Sequence, residues 1–227
     1  MPRGRASHTV KAVLFDAGHT LIEPHDAALA EAAAAALLEV GGRDVARAFR
    51  RAISQLNRQP GASPGTFRDL VAAELVRLGL KGPDVEEAVW TVLDKHNAER
   101  ALWTKPIEGA GETLAALKSQ GVKVGVVSNS DGFVAQYLEV AGLLGYVDLV
   151  VDSHLVGVEK PDPRIFQHAL DKLGIPAEGT PFVGDRYDVD VMGAQAVGML
   201  GVLYDPEGDA FEGVKLIRRL DEILQLI

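Results

Sequence analysis

Three short apolar runs in this chain each stop abruptly at a polar residue. Val10 to Phe15, rich in Val and Phe with Lys11 its only charge, ends at Asp16. Val122 to Val127 ends at Ser128, and Pro181 to Val183 ends at Gly184-Asp185. Runs of this kind read as strands buried on both faces, as in parallel sheets. Further strands are expected at Val147 to Val151 and Met199 to Tyr204. Helices are expected over Gly111 to Gln120, Phe133 to Ala141, Arg164 to Leu173, Asp188 to Val197 and, closing the chain, Lys215 to Leu226. Strand–helix alternation with short links predicts an α/β fold: a doubly wound parallel sheet with helices on both faces. The carboxyl ends of such strands share one edge, where ligands bind. Asp16, Ser128 and Asp185 are therefore expected to meet.

Between the first strand and the rest lies a block of different character. Ile22-Glu23-Pro24-His25 reads as a linker, because Pro24 bars helix at the residue before it. Asp26 is a candidate cap for a helix over Ala27 to Val40, which Gly41-Gly42 would stop. Arg43 to Asn57 carries Val45, Phe49, Ile53 and Leu56 at helical spacing. Gln59 to Gly65 is a loop by its Pro and Gly content. Thr66 to Leu78 is a third helix, and a fourth follows Gly82-Pro83-Asp84 to about Leu102. The expected division is a Rossmann-like core over 10–21 and 104–227, with an all-helical insertion over 22–103.

Each strand-end residue has a job it can do. Asp16 and Asp185 offer a hard divalent cation such as Mg²⁺ two carboxylate oxygens. Asp16 can also act as a nucleophile, since carboxylates form covalent phosphoryl intermediates. Ser128 and the backbone N–H groups after it suit an anion, and Lys160 adds a point charge for it. Asp190, five positions after Asp185, could orient Lys160 or the waters of a metal.

Charge narrows the partners. With 23 basic and 32 acidic side chains, net charge −9, there is no excess of cations for nucleic acid or an acidic membrane. A small anionic substrate would be held by local positive groups. The chain has no cysteine, which excludes thiolate catalysis and disulfides and fits a reducing compartment. No apolar stretch is long enough to span a bilayer. A cytoplasmic protein with a frayed N-terminus is expected, as monomer or homodimer.

Taken in order, these motifs resemble the haloacid dehalogenase-like superfamily, in the branch with a helical cap after the first strand. The residues carrying the resemblance are Asp16-Ala17-Gly18-His19-Thr20-Leu21, Val126-Val127-Ser128-Asn129, Lys160-Pro161-Asp162-Pro163, and Gly184-Asp185 with the later Asp190. The resemblance implies that Asp16 is nucleophile and metal ligand, and that the Gly18 carbonyl and Asp185 complete the protein ligands of Mg²⁺. It implies that Ser128, Asn129 and Lys160 hold the transferring group, with Lys160 also catalytic, and that Thr20 supports the first loop.

One departure stands out. Phosphatases of the superfamily usually carry a second acid two residues after the nucleophile, and this chain has Gly18 there. Such an acid is worth roughly 10²–10⁴ in rate. His19 is the candidate replacement acid and base; otherwise it fills the usual glycine position of the turn. Arg186 is either an extra anion contact or the partner of Asp188 or Asp190. Trp90 and Trp103 are candidates for a substrate pocket or for helix packing, and His25 for a contact from the linker. Three functions remain: a Mg²⁺-dependent phosphatase; a hydrolase of a bond with a good leaving group, such as an acyl phosphate, phosphonate or 2-haloacid; or a catalytically weak binding or regulatory protein.

Overall fold

The structure, a computed structural model, describes residues 10–36, 41–59, 66–79, 83–208 and 213–227. Six parallel strands form its sheet: β1 (Ala12–Phe15), β4 (Lys123–Ser128), β5 (Leu149–Asp152), β6 (Pro181–Gly184), β7 (Leu200–Tyr204) and β8 (Lys215–Ile217). Their spatial order is β5-β4-β1-β6-β7-β8. The chain winds outward from β1 through β4 to β5, then crosses back to β6 and winds the other way. That reversal beside β1 is the switch point at which open α/β sheets bind ligands.

Alternation along β1 divides its side chains between two cores. Val13 and Phe15 face one side, with Leu114 and Leu117 of α5 (Ala110–Ser119) and Tyr137 and Leu138 of α6 (Val134–Val140). Ala12 and Leu14 face the other, with Ile165, Phe166 and Leu170 of α8 (Pro163–Leu173) and Ala194 of α9 (Met192–Ala196). All four β1 residues are fully buried, which is why the run carries no alternation of polar residues.

The block after β1 forms α1 (Asp26–Ala35), α2 (Gly42–Asn57), α3 (Thr66–Arg77) and α4 (Pro83–Ala98). The four helices enclose a core of their own, which includes Leu29, Val45, Phe49, Val71, Leu75 and Val89. A two-stranded antiparallel ribbon joins the ends of this block, β2 (Ile22–Glu23) against β3 (Lys105–Pro106). Ile22-Glu23, expected as a linker, is therefore a short strand, because Lys105-Pro106 returns alongside it. Lys105 Nζ bridges Glu23 and Asp26 at 2.9 and 2.8 Å.

Other boundaries moved. His25, not Asp26, caps α1, its Nδ1 accepting the Ala27 N–H. The expected end of that helix at 37–40, the loop at 60–65, the start at Gly82 and the N-terminal residues 1–9 lie outside the described residues. The fourth helix stops at Ala98 rather than near Leu102. Asp188 to Val197 begins as a π-helical turn, Tyr187–Val191, before α9. The closing helix is a correction: Lys215–Ile217 pairs with β7 as an edge strand, and only Leu220–Gln225 is helical, in a 3-10 turn. The unpaired edge of β7 outweighed helix propensity there. No helix among the described residues is long and apolar enough to cross a membrane.

Candidate active site

Asp16 follows the last residue of β1, and its N–H donates to the Val183 carbonyl of β6 at 2.8 Å. From there the chain curls at once: the Ile22 N–H returns to the Ala17 carbonyl, and the His19 N–H to the Ile22 carbonyl. His19 sits at φ +54°, the left-handed conformation that glycine adopts most easily. These bonds fix the main chain on both sides of Asp16, with Gly18 and His19 in the loop that follows it.

Lys160 is the hub. Its Nζ donates to Asp16 Oδ1 at 2.5 Å and to Asp190 Oδ1 at 2.7 Å, and the side chain is almost fully buried. Burial alone would lower the lysine's affinity for its proton, but the two carboxylates more than reverse that and hold it above its ordinary range. Asp190 is also occupied at its other oxygen, which accepts the Arg186 N–H at 2.9 Å. Close approach is built into the neighbouring strand: a Cβ on Gly184 would lie 2.4 Å from Asp190 Cβ, so only glycine fits.

Asp185 completes the acidic group. Oxygens of Asp16, Asp185 and Asp190 lie within 4.8 Å of one another. Thr20 Oγ1 reaches Asp185 Oδ1 at only 3.5 Å. Burial, then the Asp16 and Asp190 charges, push the Asp185 carboxyl well above its usual range, against Lys160 and Arg186. Burial likewise raises Asp16 to about 6 despite the lysine beside it. Three buried carboxylates against one ammonium make a site short of positive charge, and its hard oxygen donors suit a divalent metal.

Ser128 ends β4 and lines the cavity above Asp16. Asn129 is directed to the main chain: its Oδ1 accepts the Lys160 N–H at 2.7 Å and its Nδ2 donates to the Lys160 carbonyl at 2.9 Å. Two residues that the sequence reading missed hold this edge together. Asp152, at the end of β5, accepts the N–H groups of Gly132, Val134 and His154. Asn57, the last residue of α2, donates to the Asp185 carbonyl and accepts the Tyr187 N–H.

Of the other candidates, His19 lies edge-on to Trp103, ring centroids 4.9 Å apart, and stacks toward Phe49. Burial, then the Arg50 charge, lower its ring to about 4. It is therefore neutral near pH 7 and can accept a proton there but holds none as imidazolium to give. Arg186 forms the expected ion pair with Asp188, Nη2 to Oδ1 3.0 Å. His25 caps α1 and is not among the cavity-lining residues. The cavity over Asp16 measures about 540 Å³, and both Trp90 and Trp103 line it.

A carboxylate paired with a lysine thus sits at the switch point of a doubly wound sheet, beneath a cavity lined partly by inserted helices, where an α/β enzyme binds its ligand. The sequence model of the haloacid dehalogenase-like hydrolases matches residues 10–198, and the chain belongs to that family. It is 34% identical over 171 residues to haloacid dehalogenase-like hydrolase domain-containing protein 3 of Bos taurus, a match covering 71% of this chain and 67% of the bovine one. It is 29% identical over 240 residues to a glyceraldehyde 3-phosphate phosphatase of Methanocaldococcus jannaschii, covering 96% and 97%. Several other relatives are matched over half of their length or less. A solved HAD phosphatase of Thermococcus onnurineus superposes with a TM-score of 0.60 at 24% identity, covering 96% of this chain and 97% of the other, and shares the fold.

Proposed function

We propose that the protein is a Mg²⁺-dependent phosphatase of a small phosphorylated metabolite, acting in the cytoplasm through an aspartyl phosphate on Asp16. The observation that carries this reading is the Lys160 bridge between Asp16 and Asp190 on the floor of the cavity, with Asp185 beside it. Two phosphatase-named relatives, one of them matched over nearly its whole length, support the reaction type.

In the first step the Asp16 oxygen not held by Lys160 attacks phosphorus. The bond from phosphorus to the alcohol oxygen breaks, and that oxygen takes a proton from water, because Gly18 has no side chain to give one. In the second step water attacks phosphorus and loses a proton. The phosphorus bond to Asp16 breaks, inorganic phosphate leaves, and the carboxylate is restored. Lys160 and Ser128 bind the phosphoryl oxygens, and Lys160 also fixes which Asp16 oxygen is free. Asp16, the Gly18 carbonyl and Asp185 would hold Mg²⁺, whose charge offsets that of the phosphoryl oxygens as it is transferred. Asp190 stays outside that set, orienting Lys160. Residues 22–103 act as a cap that excludes water and selects the alcohol.

Gly18 favours a second reading, hydrolysis of acyl phosphates, whose leaving group needs no proton. A comparison of alkyl and acyl phosphates with and without Mg²⁺ separates the two. The mechanism itself is tested by Asp16→Asn. Turnover should vanish, and acid quench of the unaltered protein should trap phosphate on the chain. Full turnover by the variant would end the proposal.

A further inference from the structure

Resting on the phosphatase reading, we infer that the substrate bears a single phosphoryl group and that its alcohol carries a flat, uncharged hydrocarbon part, held against a wall of aromatic rings.

That wall begins next to the reacting carboxylate. Trp103 meets the His19 ring at 4.9 Å, His19 stacks toward Phe49 at 6.5 Å, and Phe49 meets Trp90 at 5.5 Å and Phe67 at 6.1 Å. Leu93 and Leu102 also line the cavity. Packing within the helical layer explains Phe49, which is 4% exposed. Phe67, Trp90 and Trp103 are half-buried and keep surface on the cavity, and the Arg68 guanidinium lies 4.5 Å from the Trp90 ring centroid. Apolar rings facing enclosed solvent gain when a hydrocarbon covers them. Gly18, two residues after Asp16, lies against this wall: a Cβ added there would be 3.5 Å from Trp103 Cζ3.

Charge argues the same way. Among the described residues lining the cavity, the cations are Lys160 and Arg186. Lys160 is held by Asp16 and Asp190, and Arg186 is paired with Asp188 through Nη2, its buried Nε having no partner among the described residues. Asp94 and Asp131 also line the cavity and would repel a second phosphoryl group. Among the described residues, the outer cavity therefore offers apolar surface to a hydrocarbon, and to a second anion two carboxylates and no cation beyond Lys160 and Arg186.

The test compares 3-phenylpropyl phosphate, propyl phosphate, glycerol 3-phosphate and fructose 1,6-bisphosphate, all with Mg²⁺. The three monoesters leave as alkyl alcohols, so differences among them report mainly on the cavity. Expected is a kcat/KM for the phenylpropyl ester about tenfold or more above the other two monoesters, chiefly through KM. In Trp90→Leu and Phe67→Ala that ratio should shrink toward one. A ratio at or below one in the unaltered protein, or a preference for the bisphosphate, would overturn the inference. Binding is read independently. The only two tryptophans in the chain are Trp90 and Trp103, so their fluorescence reports on the wall directly. Titration should show 3-phenylpropylphosphonate binding more tightly than 2,3-dihydroxypropylphosphonate; equal or reversed affinities would sink the aromatic wall as a subsite. If no phosphate ester turns over at all, the phosphatase reading falls, while this titration still decides the wall.

Discussion

Asn57 and Asp185 lie 128 positions apart and are joined by a 2.7 Å hydrogen bond from the Asn57 Nδ2 to the Asp185 carbonyl. The same amide accepts the Tyr187 N–H at 2.9 Å, so one side chain from the end of α2 grips the main chain on both sides of Arg186. The contact couples the helical layer to the loop that aims the Asp185 carboxylate. Asn57→Leu keeps roughly the same volume but removes both bonds and takes this donor from the buried Asp185 carbonyl, which costs about 1–3 kcal/mol. The expected outcome is a higher Mg²⁺ concentration for half-maximal rate together with a lower kcat. If the Mg²⁺ titration and kcat are unchanged in a stable variant, the amide only packs.

Asp185 sets a pH dependence in the metal-free protein. Its carboxyl is raised by burial and by the Asp16 and Asp190 charges, so the folded state binds its proton more tightly than the unfolded state does. Stability from this group is present at low pH and is lost as pH rises through the folded value. Asp185→Asn removes the buried charge. Without metal its Tm should exceed that of the unaltered protein at pH 7 to 8, and the gap should close toward pH 4. Mg²⁺ should raise the Tm of the unaltered protein and do little for the variant. Calorimetry over that range checks both, and a variant that gains Mg²⁺ stabilisation would remove Asp185 from the metal site.

The strand ends were legible because each pairs an apolar run with a polar stop, a pattern that survives without any knowledge of packing. Asp16, Ser128 and Asp185 line one cavity as that pattern requires, and Lys160 joins them from the loop before α8. Asn57 was not legible: an Asn near the end of an amphipathic helix is ordinary, and its partners lie 128 and 130 positions away. Asp152 was hidden for a related reason. It ends β5 like the others, but its oxygens serve three backbone N–H groups, and a local reading cannot tell a capping carboxylate from a chemical one. Lys215–Ile217 was misread because three residues carry no usable period, and only the free edge of β7 decides their conformation.

His19 gives a prediction of the opposite sign. Burial and the Arg50 charge lower its ring from 6.5 to about 4, so the neutral form is favoured on folding. Its contribution is present above pH 6.5 and is lost as pH falls toward 4. Asn tolerates the φ of +54° at this position and does not titrate. The Tm advantage of the unaltered protein over His19→Asn should therefore be largest above pH 6.5 and fade on acidification. As a wall ring, His19 should affect KM for ring-bearing esters more than kcat for propyl phosphate. A kcat loss of about 10²–10⁴ on every ester would instead identify it as the missing acid and base.

Gly18 is where the rate should be recoverable. Its φ lies outside the left-handed region, and a Cβ added there would meet Trp103 Cζ3 at 3.5 Å, an ordinary contact. Gly18→Asp can therefore enter without backbone strain, its Cβ packed against the Trp103 ring. If the leaving alcohol lacks a proton donor, alkyl phosphate hydrolysis should rise by an order of magnitude or more. Acyl phosphate hydrolysis should change little, because a carboxylate leaves without protonation. The informative quantity is the alkyl-to-acyl ratio of kcat, which cancels any general loss from repositioning Trp103. An unchanged ratio, in a folded variant that still binds Mg²⁺, would mean that proton transfer to the alcohol does not limit this enzyme, and the acyl phosphate reading would then stand ahead of the alkyl one.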